Sequence, residues 1–425
     1  MEHIIFHIDV NSAFLSWEAV YRLAHRGGRQ DIRKIASAVG GDVALRHGII
    51  LAKSIPAKNC GIKTGETILE AQRKCPDLVL VPPNYNLYEQ CSAAFMEILR
   101  EYSDVVEQYS IDEAFVDMST SCHLFGTPEA AAAQIKNRIR EELGFTVNIG
   151  ISTNKLLAKM ASDFRKPDRI HTLYPEEIKQ KMWPLPVSDL FFVGRATARK
   201  LFLMGIRTIG ELAAADPVWL KNVLKKHGEI IWGFANGLDF SSVLVQPAAN
   251  KGYGNSTTPP YDVTDIEMAD RVLLALSETV GNRLRTDRVQ MGVVSVEIRY
   301  ARLSEGKFPI VSHQRGLQSP TNLTAEIYKA ACDLFRELWD GSPIRHLGVH
   351  TSRVSGEDSG RQLNIFGGID YEKLFRMDET VDQIRKRFGI DAVMRAAFLN
   401  QAIDHMCGGI SREKRSVDYD RMIIR

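Results

Sequence analysis

The chain has 425 residues, more than one ordinary core supports, and its 44% hydrophobic and 25% charged content is that of a folded, water-exposed protein. No run approaches the roughly 18 apolar residues of a membrane span, and MEHIIFHIDV reaches an acid too soon for a secretory leader. Six cysteines form no CxxC pair, which excludes zinc ribbons and thioredoxin-like redox motifs, while a net charge of +2 neither demands nor excludes nucleic acid. Two to four domains, buried free thiols and a cytoplasmic location are expected.

In chain order, residues 3–10 predict a buried strand ending at an acid, and 12–24 a helix with Phe14, Trp17, Val20 and Tyr21 at helical spacing. GIILAKS reads as a strand, TILEAQRKC as a helix stopped by Pro76, LVLVPP as a strand and 85–102 as a helix. VVEQYSIDEAFVDM holds two strand-like halves around a central IDEA. A helix at 128–142, the strand TVNIGIS and the helix NKLLAKMASDFRK follow, the last ended by Lys166-Pro167. This pattern predicts an α+β layer with helices on one face of a sheet. Residues 167–240 read as helical with Gly-containing turns, and 241–255 as a linker. From 256 to 353 a β/α/β alternation returns, with helices at 265–286 and 320–340. Residues 354–368 are loop-like, and a helix-rich tail with basic pieces closes the chain.

Three acids carry the chemistry. Asp9 ends a strand, and Asp112-Glu113 lie between two others. Neighbouring residues of a flat strand face opposite ways, so Asp112 and Glu113 serve one site only at a turn or bulge. Carboxylates sharing a pocket repel by about 4 kcal/mol per close pair at an effective dielectric of 20. A hard divalent cation removes that conflict. Exposed acids at strand ends are the alternative reading.

The segments HIDVNSAF, YSIDEAFVDM and GISTNKLLAKMASDFRKPD resemble the palm motifs of the Y family of translesion DNA polymerases, in its bacterial polymerase IV-like or UmuC-like branch. LFFVGRATARKLFLMGIRTIGELA resembles that family's thumb, and NSTTPPYDVTD, strand 292–301 and IRHLGV its little finger. The resemblance covers about residues 1–353. It implies an α+β multidomain fold: a palm at 1–19 and 76–166 with a mixed or antiparallel sheet, and small fingers at 20–75. A helical thumb with a helix-hairpin-helix spans 167–240, a β/α little finger 256–353, and a helical tail 354–425. It implies template-directed, low-fidelity DNA synthesis in damage tolerance, with primer-template DNA and dNTP as partners and two Mg²⁺ ions as cofactor. Asp9, Asp112 and Glu113 would be the metal ligands, joined by the backbone carbonyl of Val10. Phe14 falls where the family places its steric gate against a 2′-hydroxyl, although core packing on an amphipathic helix is the other reading.

A triphosphate needs compensating charge. Lys166 matches the family's triphosphate-contacting lysine, whereas Lys58 stands where arginine is usual and Ile55 where tyrosine is usual. Lysine lacks arginine's bidentate fork, which leaves the finger-side clamp atypical. Lys159 is a nearby cation that a solvated helix face explains equally well. VGRATARKLFLMGI forms either a phosphate-binding hairpin or a plain packing unit, and the family's glycine two residues before Gly194 is here Phe192. Lys251, Arg299, Arg302 and Arg315 could lay a sheet across a duplex through phosphate contacts.

Gln362, Leu363, Ile365 and Phe366 resemble the short peptide by which bacterial polymerases hold a sliding clamp. Packing of Ile365 and Phe366 on the tail is the alternative. No further acidic constellation marks a proofreading exonuclease, and a monomer is expected. Two competing classes remain: another two-metal enzyme such as a nucleotide cyclase or nuclease, and a non-catalytic DNA- and clamp-binding accessory protein. A cyclase lacks a thumb and a little finger, and an accessory protein would have lost its acids.

Overall fold

The computed structural model describes residues 3–41, 48–246, 249–301, 309–357 and 370–408. They form two compact units that part near residue 247. The clamp-like peptide 362–366 and Arg302 lie outside the described residues.

The first unit is built on strand β1 (Ile5–Val10), every residue of which is buried. Helix α1 (Ala13–His25) leaves it through Ser12, whose left-handed φ of 48° turns the chain sharply. β2 (Ser37–Gly40), β3 (Ile50–Lys53) and β4 (Val79–Val81) make a small sheet in the order β3-β2-β4, packed by α2 (Ile55–Asn59) and α3 (Ile68–Lys74). α3 begins at a capping box between Thr67 and Glu70. After α4 (Tyr85–Arg100) come β5 (Val106–Gln108), β6 (Glu113–Asp117), α5 (Pro128–Arg138), β7 (Val147–Ser152), α6 (Lys155–Asp163) and β8 (Ile170–Thr172). The main sheet has the order β5-β6-β1-β7-β8, antiparallel except for β7-β8.

Alternation along β1 divides the sheet's faces. Phe6, Ile8 and Val10 join a core with α1, α4 and α5. Ile5 packs with Phe115 and Ala158, and His7 bonds Ser162, both from the opposite face. Helices therefore cover both faces, not one as the sequence predicts. α6 closes the second face over side chains that look solvent-facing in a linear reading. It lies against bare backbone: a Cβ on Gly150 would stand 2.0 Å from Ala158 O and 2.5 Å from Ser162 N. α6 ends at Asp163, short of the predicted Lys166.

Residues 173–235 form a helical cluster around Leu201, Leu212, Leu220 and Ile231, to which Leu156, Leu157 and Met160 of α6 also belong. Its helices are α7 (Ile178–Lys181), α8 (Arg195–Leu203), α9 (Ile209–Ala214), α10 (Pro217–Leu224) and α11 (Lys226–Ala235).

The second unit is a four-stranded sheet with two helices on one face. It contains β9 (Gly252–Thr257), α12 (Ile266–Thr286), β10 (Val289–Tyr300), β11 (Ile310–Thr321), α13 (Thr324–Leu338) and β12 (Ile344–Gly356), in strand order β11-β10-β12-β9. Val294, Val296, Ile298, Leu347 and Val349 face α12 and α13. One expectation changes here. Gly252–Thr257 pairs with β12, so the stretch read as linker to 255 already belongs to the sheet. Helix α14 (Tyr371–Phe388) and the residues after it pack back on the unit, with Phe398, Ile403 and Cys407 in its core. Ion pairs hold α14: Arg285 with Asp378 and Asp382, and Arg385 with Glu278.

Candidate active site

Asp9 enters through the register of β1, opposite Glu113 of β6 and Asn148 of β7. Asp112 immediately precedes β6 in the turn from β5, where Tyr109 N and Ser110 N both donate to Glu113 O. The Ser110 hydroxyl donates to Asp112 Oδ1 at 2.7 Å, and Val10 N donates to Asp112 O at 3.0 Å. Sequence-adjacent acids thus escape the strict alternation of a flat strand. Asp9 is buried, and Asp112 and Glu113 are half-buried.

Two lysines supply the countercharge. Lys159 Nζ donates to Glu113 Oε1 at 2.5 Å and stands 3.8 Å from Asp9 Oδ2. Lys166 Nζ lies 2.9 Å from Asp9 Oδ1 and 2.9 Å from Asp163 Oδ1. Burial, then a hydrogen bond with Glu113, pushes the Asp9 carboxyl up to about 6, against the lowering effect of both lysines. Burial works to lower the Lys166 pKa, but the Asp9 and Asp163 carboxylates hold it above its ordinary value. His7 is fully buried; burial first, then Lys159 and Lys166, holds its pKa well below the usual value, and Nδ1 meets the Ser162 hydroxyl at 2.8 Å.

Asp9 and Glu113 face each other across β1 and β6, the Asp112 backbone is tied to Val10, and burial raises the Asp9 carboxyl above its ordinary value. This donor set fits a hard divalent cation. A different group of metal-type donors lies in the second unit, where Asp391, Asp404 and His405 approach one another and His405 Nε2 is 3.2 Å from Asp391 Oδ1.

Phe14 is half-buried in the first turn of α1 and stacks on Tyr88 at 4.4 Å with the rings 8° from parallel. Trp17 and Tyr85 flank it at 5.9 and 6.1 Å. Lys58 and Ile55 sit exposed on α2. Lys58 bears on Lys53, whose pKa is lowered by burial and then by the Lys58 charge. Gly194 caps α8, and Phe192 has a φ of +76°, a left-handed conformation that favours glycine. Its exposed ring contacts Phe191, Phe234 and His227. Arg315 pairs with Glu337 of α13, on the helix side of its sheet, whereas Arg299 is exposed on β10.

Sequence reasoning left Lys159 undecided and overlooked His7, Asn11, Asn148 and Ser162. Asn11 Oδ1 accepts from Asp168 N at 3.0 Å, and Asn148 Nδ2 donates to Ser162 O at 3.0 Å and to Arg165 O at 2.9 Å. Asn148 alone carried a signal, as an amide inside the mostly apolar strand VNIGIS.

The impB/mucB/samB family model matches residues 8–163, its helix-hairpin-helix motif 175–206, and its C-terminal domain 250–365. The chain is 44% identical over 401 residues to a DNA polymerase IV of Clostridium acetobutylicum, covering 94% of this chain and 99% of the relative. It is 39% identical over 407 residues to DNA polymerase IV 2 of Bacillus subtilis, covering 94% and 96%. A solved Y-family DNA polymerase chimera superposes with a TM-score of 0.69 at 23% identity, over 83% of this chain and 99% of the chimera, and so shares the fold. The chain belongs to the impB/mucB/samB family, the Y family of DNA polymerases.

Proposed function

We propose that the chain is a template-directed DNA polymerase of the translesion type, which adds dNMP units to a primer 3′-hydroxyl. The observation that carries this is the register that sets Asp9 opposite Glu113 and ties Val10 N to the Asp112 carbonyl, with Lys166 bonded to Asp9. These carboxylates, with the Val10 carbonyl, would hold two Mg²⁺ ions. The ions would supply the positive charge that activates a primer hydroxyl and offsets charge on the leaving pyrophosphate. Around them the chain's own groups have separate tasks. Ser110 orients Asp112 through its hydroxyl. Lys166 exchanges Asp9 for the triphosphate. Phe14, braced by Tyr88, excludes a 2′-hydroxyl by shape.

The assignments beyond this centre are also part of the proposal. Palm and fingers fall within residues 1–166, the thumb in 167–240 and the DNA-binding little finger in 256–353. Primer-template DNA is held through phosphates by the helical hairpin and the second unit's sheet. Gln362, Leu363, Ile365 and Phe366 engage a sliding clamp, and the protein works as a cytoplasmic monomer. No described helix is long and apolar enough to cross a membrane. Retention of all three acids weighs against a non-catalytic accessory role.

Primer extension on a primed template with Mg²⁺ tests the centre: wild type extends, and Asp112→Ala with Glu113→Ala does not. Equal extension by both would overturn the assignment. Gln362→Ala with Phe366→Ala should abolish clamp binding in a pull-down while distributive synthesis persists. Unaltered clamp retention would place the contact elsewhere.

A further inference from the structure

Lysine is almost never fully buried without a partner, and Lys159 is only 8% exposed. Its Nζ meets three carboxylates: Glu113 Oε1 at 2.5 Å, Asp163 Oδ2 at 3.6 Å and Asp9 Oδ2 at 3.8 Å. Lys166 approaches the other oxygen of Asp9. The two ammonium groups are held very differently. Lys166 follows the end of α6 and its side chain is 37% exposed. Lys159 sits mid-helix on a segment fixed from several sides. The Gly150 backbone seats α6 directly, since any Cβ there would collide with Ala158 O and Ser162 N. The Ser162 hydroxyl bonds both His7 Nδ1 and Lys159 O at 2.8 Å, and Asn148 holds Ser162 O at 3.0 Å.

We propose that Lys159 is a positioning residue of the metal centre, whose ammonium stays on Glu113 when a cation binds, while Lys166 is the exchangeable countercharge. The proposal rests on Glu113 being a cation ligand, as argued under the proposed function. A carboxylate has about four acceptor positions on its two oxygens. Lysine on Oε1 therefore leaves Oε2 free for a cation. Glutamate on a turn-proximal strand end has several rotamers, and fixing one in advance removes ordering entropy from cation binding. Partners that orient a metal ligand without touching the metal are typically worth about 10–100-fold in affinity or activity.

The test is Mn²⁺ binding to the full-length chain, read from the spin-resonance signal of free Mn²⁺, in wild type, Lys159→Met, Lys159→Arg, Glu113→Gln and the Lys159→Met/Glu113→Gln double variant. Sites elsewhere on the chain are common to all five proteins and drop out of the comparison. Lys159→Met should weaken binding about tenfold or more. Lys159→Arg should recover most of it, and Lys159→Met should add little once Glu113→Gln is present. In single-turnover primer extension, Lys159→Met should lower the rate constant with little change in apparent dNTP affinity. Lys166→Met should weaken dNTP affinity instead.

Mn²⁺ binding by Lys159→Met as tight as wild type, or tighter, overturns the proposal, because the lysine is then a competitor for the site. Full additivity with Glu113→Gln overturns it also, because the lysine then acts through another group. Should Lys159→Met lack a folded melting transition, Lys159→Gln replaces it in each comparison. Unchanged Mn²⁺ binding in Glu113→Gln overturns the site reading itself. Weakened binding there with intact binding in Lys159→Met overturns only the role of Lys159.

Discussion

Asp9→Asn should stabilise the cation-free protein near pH 7.5, although it removes a residue the chemistry requires. The Asp9 carboxyl is pushed from 3.8 to about 6, with burial the largest cause. The sign follows from linkage. An acid whose folded pKa lies above its unfolded value binds its proton more tightly in the native state. That stabilisation is complete below pH 3.8 and is lost as pH rises through about 6. At about 1.4 kcal/mol per pH unit, the gap corresponds to about 3 kcal/mol. Asparagine has no charge to desolvate and keeps a hydrogen-bonding oxygen. Lys166 loses one partner but keeps Asp163 at 2.9 Å and is partly hydrated, so its loss is small. The variant should therefore gain up to about 3 kcal/mol over wild type at pH 7.5, and nearly nothing at pH 4. Urea denaturation with a chelator present, followed by tryptophan fluorescence to which the fully buried Trp17 contributes, measures the difference. Saturating Mg²⁺ should reverse the order, because only wild type gains ligand-binding free energy in its native state. A variant no more stable than wild type at pH 7.5 in chelator, or a gap that ignores pH, would refute the argument.

Two further substitutions separate packing from chemistry. Phe14→Ala removes a half-buried ring stacked on Tyr88 and should cost about 2 kcal/mol of stability while admitting ribonucleotides. Unchanged sugar selectivity in competitive primer extension would reduce Phe14 to a packing residue. Glu278→Ala takes the carboxylate from Arg385, whose side chain is 6% exposed, and leaves Arg395 only its longer contact with Asp378. An uncompensated buried charge costs about 3–5 kcal/mol, so a loss below about 1 kcal/mol on denaturation would contradict the view that these ion pairs dock α14.

What could be read from the sequence divides along a physical line. The strand-ending Asp9 and the need for a turn at Asp112 were legible, because strand alternation is a local rule. β1 was legible too, since Ile5, Phe6, Ile8 and Val10 make a β-branched and aromatic run. The second face of the sheet was not. His7 and Asp9 look solvent-facing, and only α6, about 150 residues later, supplies Ser162, Lys159 and the adjoining Lys166 as their partners. β9 was missed for a related reason: GYGNST has no apolar alternation, and its pairing with β12 comes from residues nearly 100 positions away. The helix of the tail was legible, but its docking was not, because α14 is held through arginine–carboxylate pairs that hydropathy does not register. Phe192 shows the converse. Its departure from glycine was visible, but only the backbone, at φ +76°, shows that the turn keeps the conformation glycine favours. Periodicity reports groups that leave water because they are apolar. It is silent about polar groups that leave water because they have found each other, and this site is made of such groups.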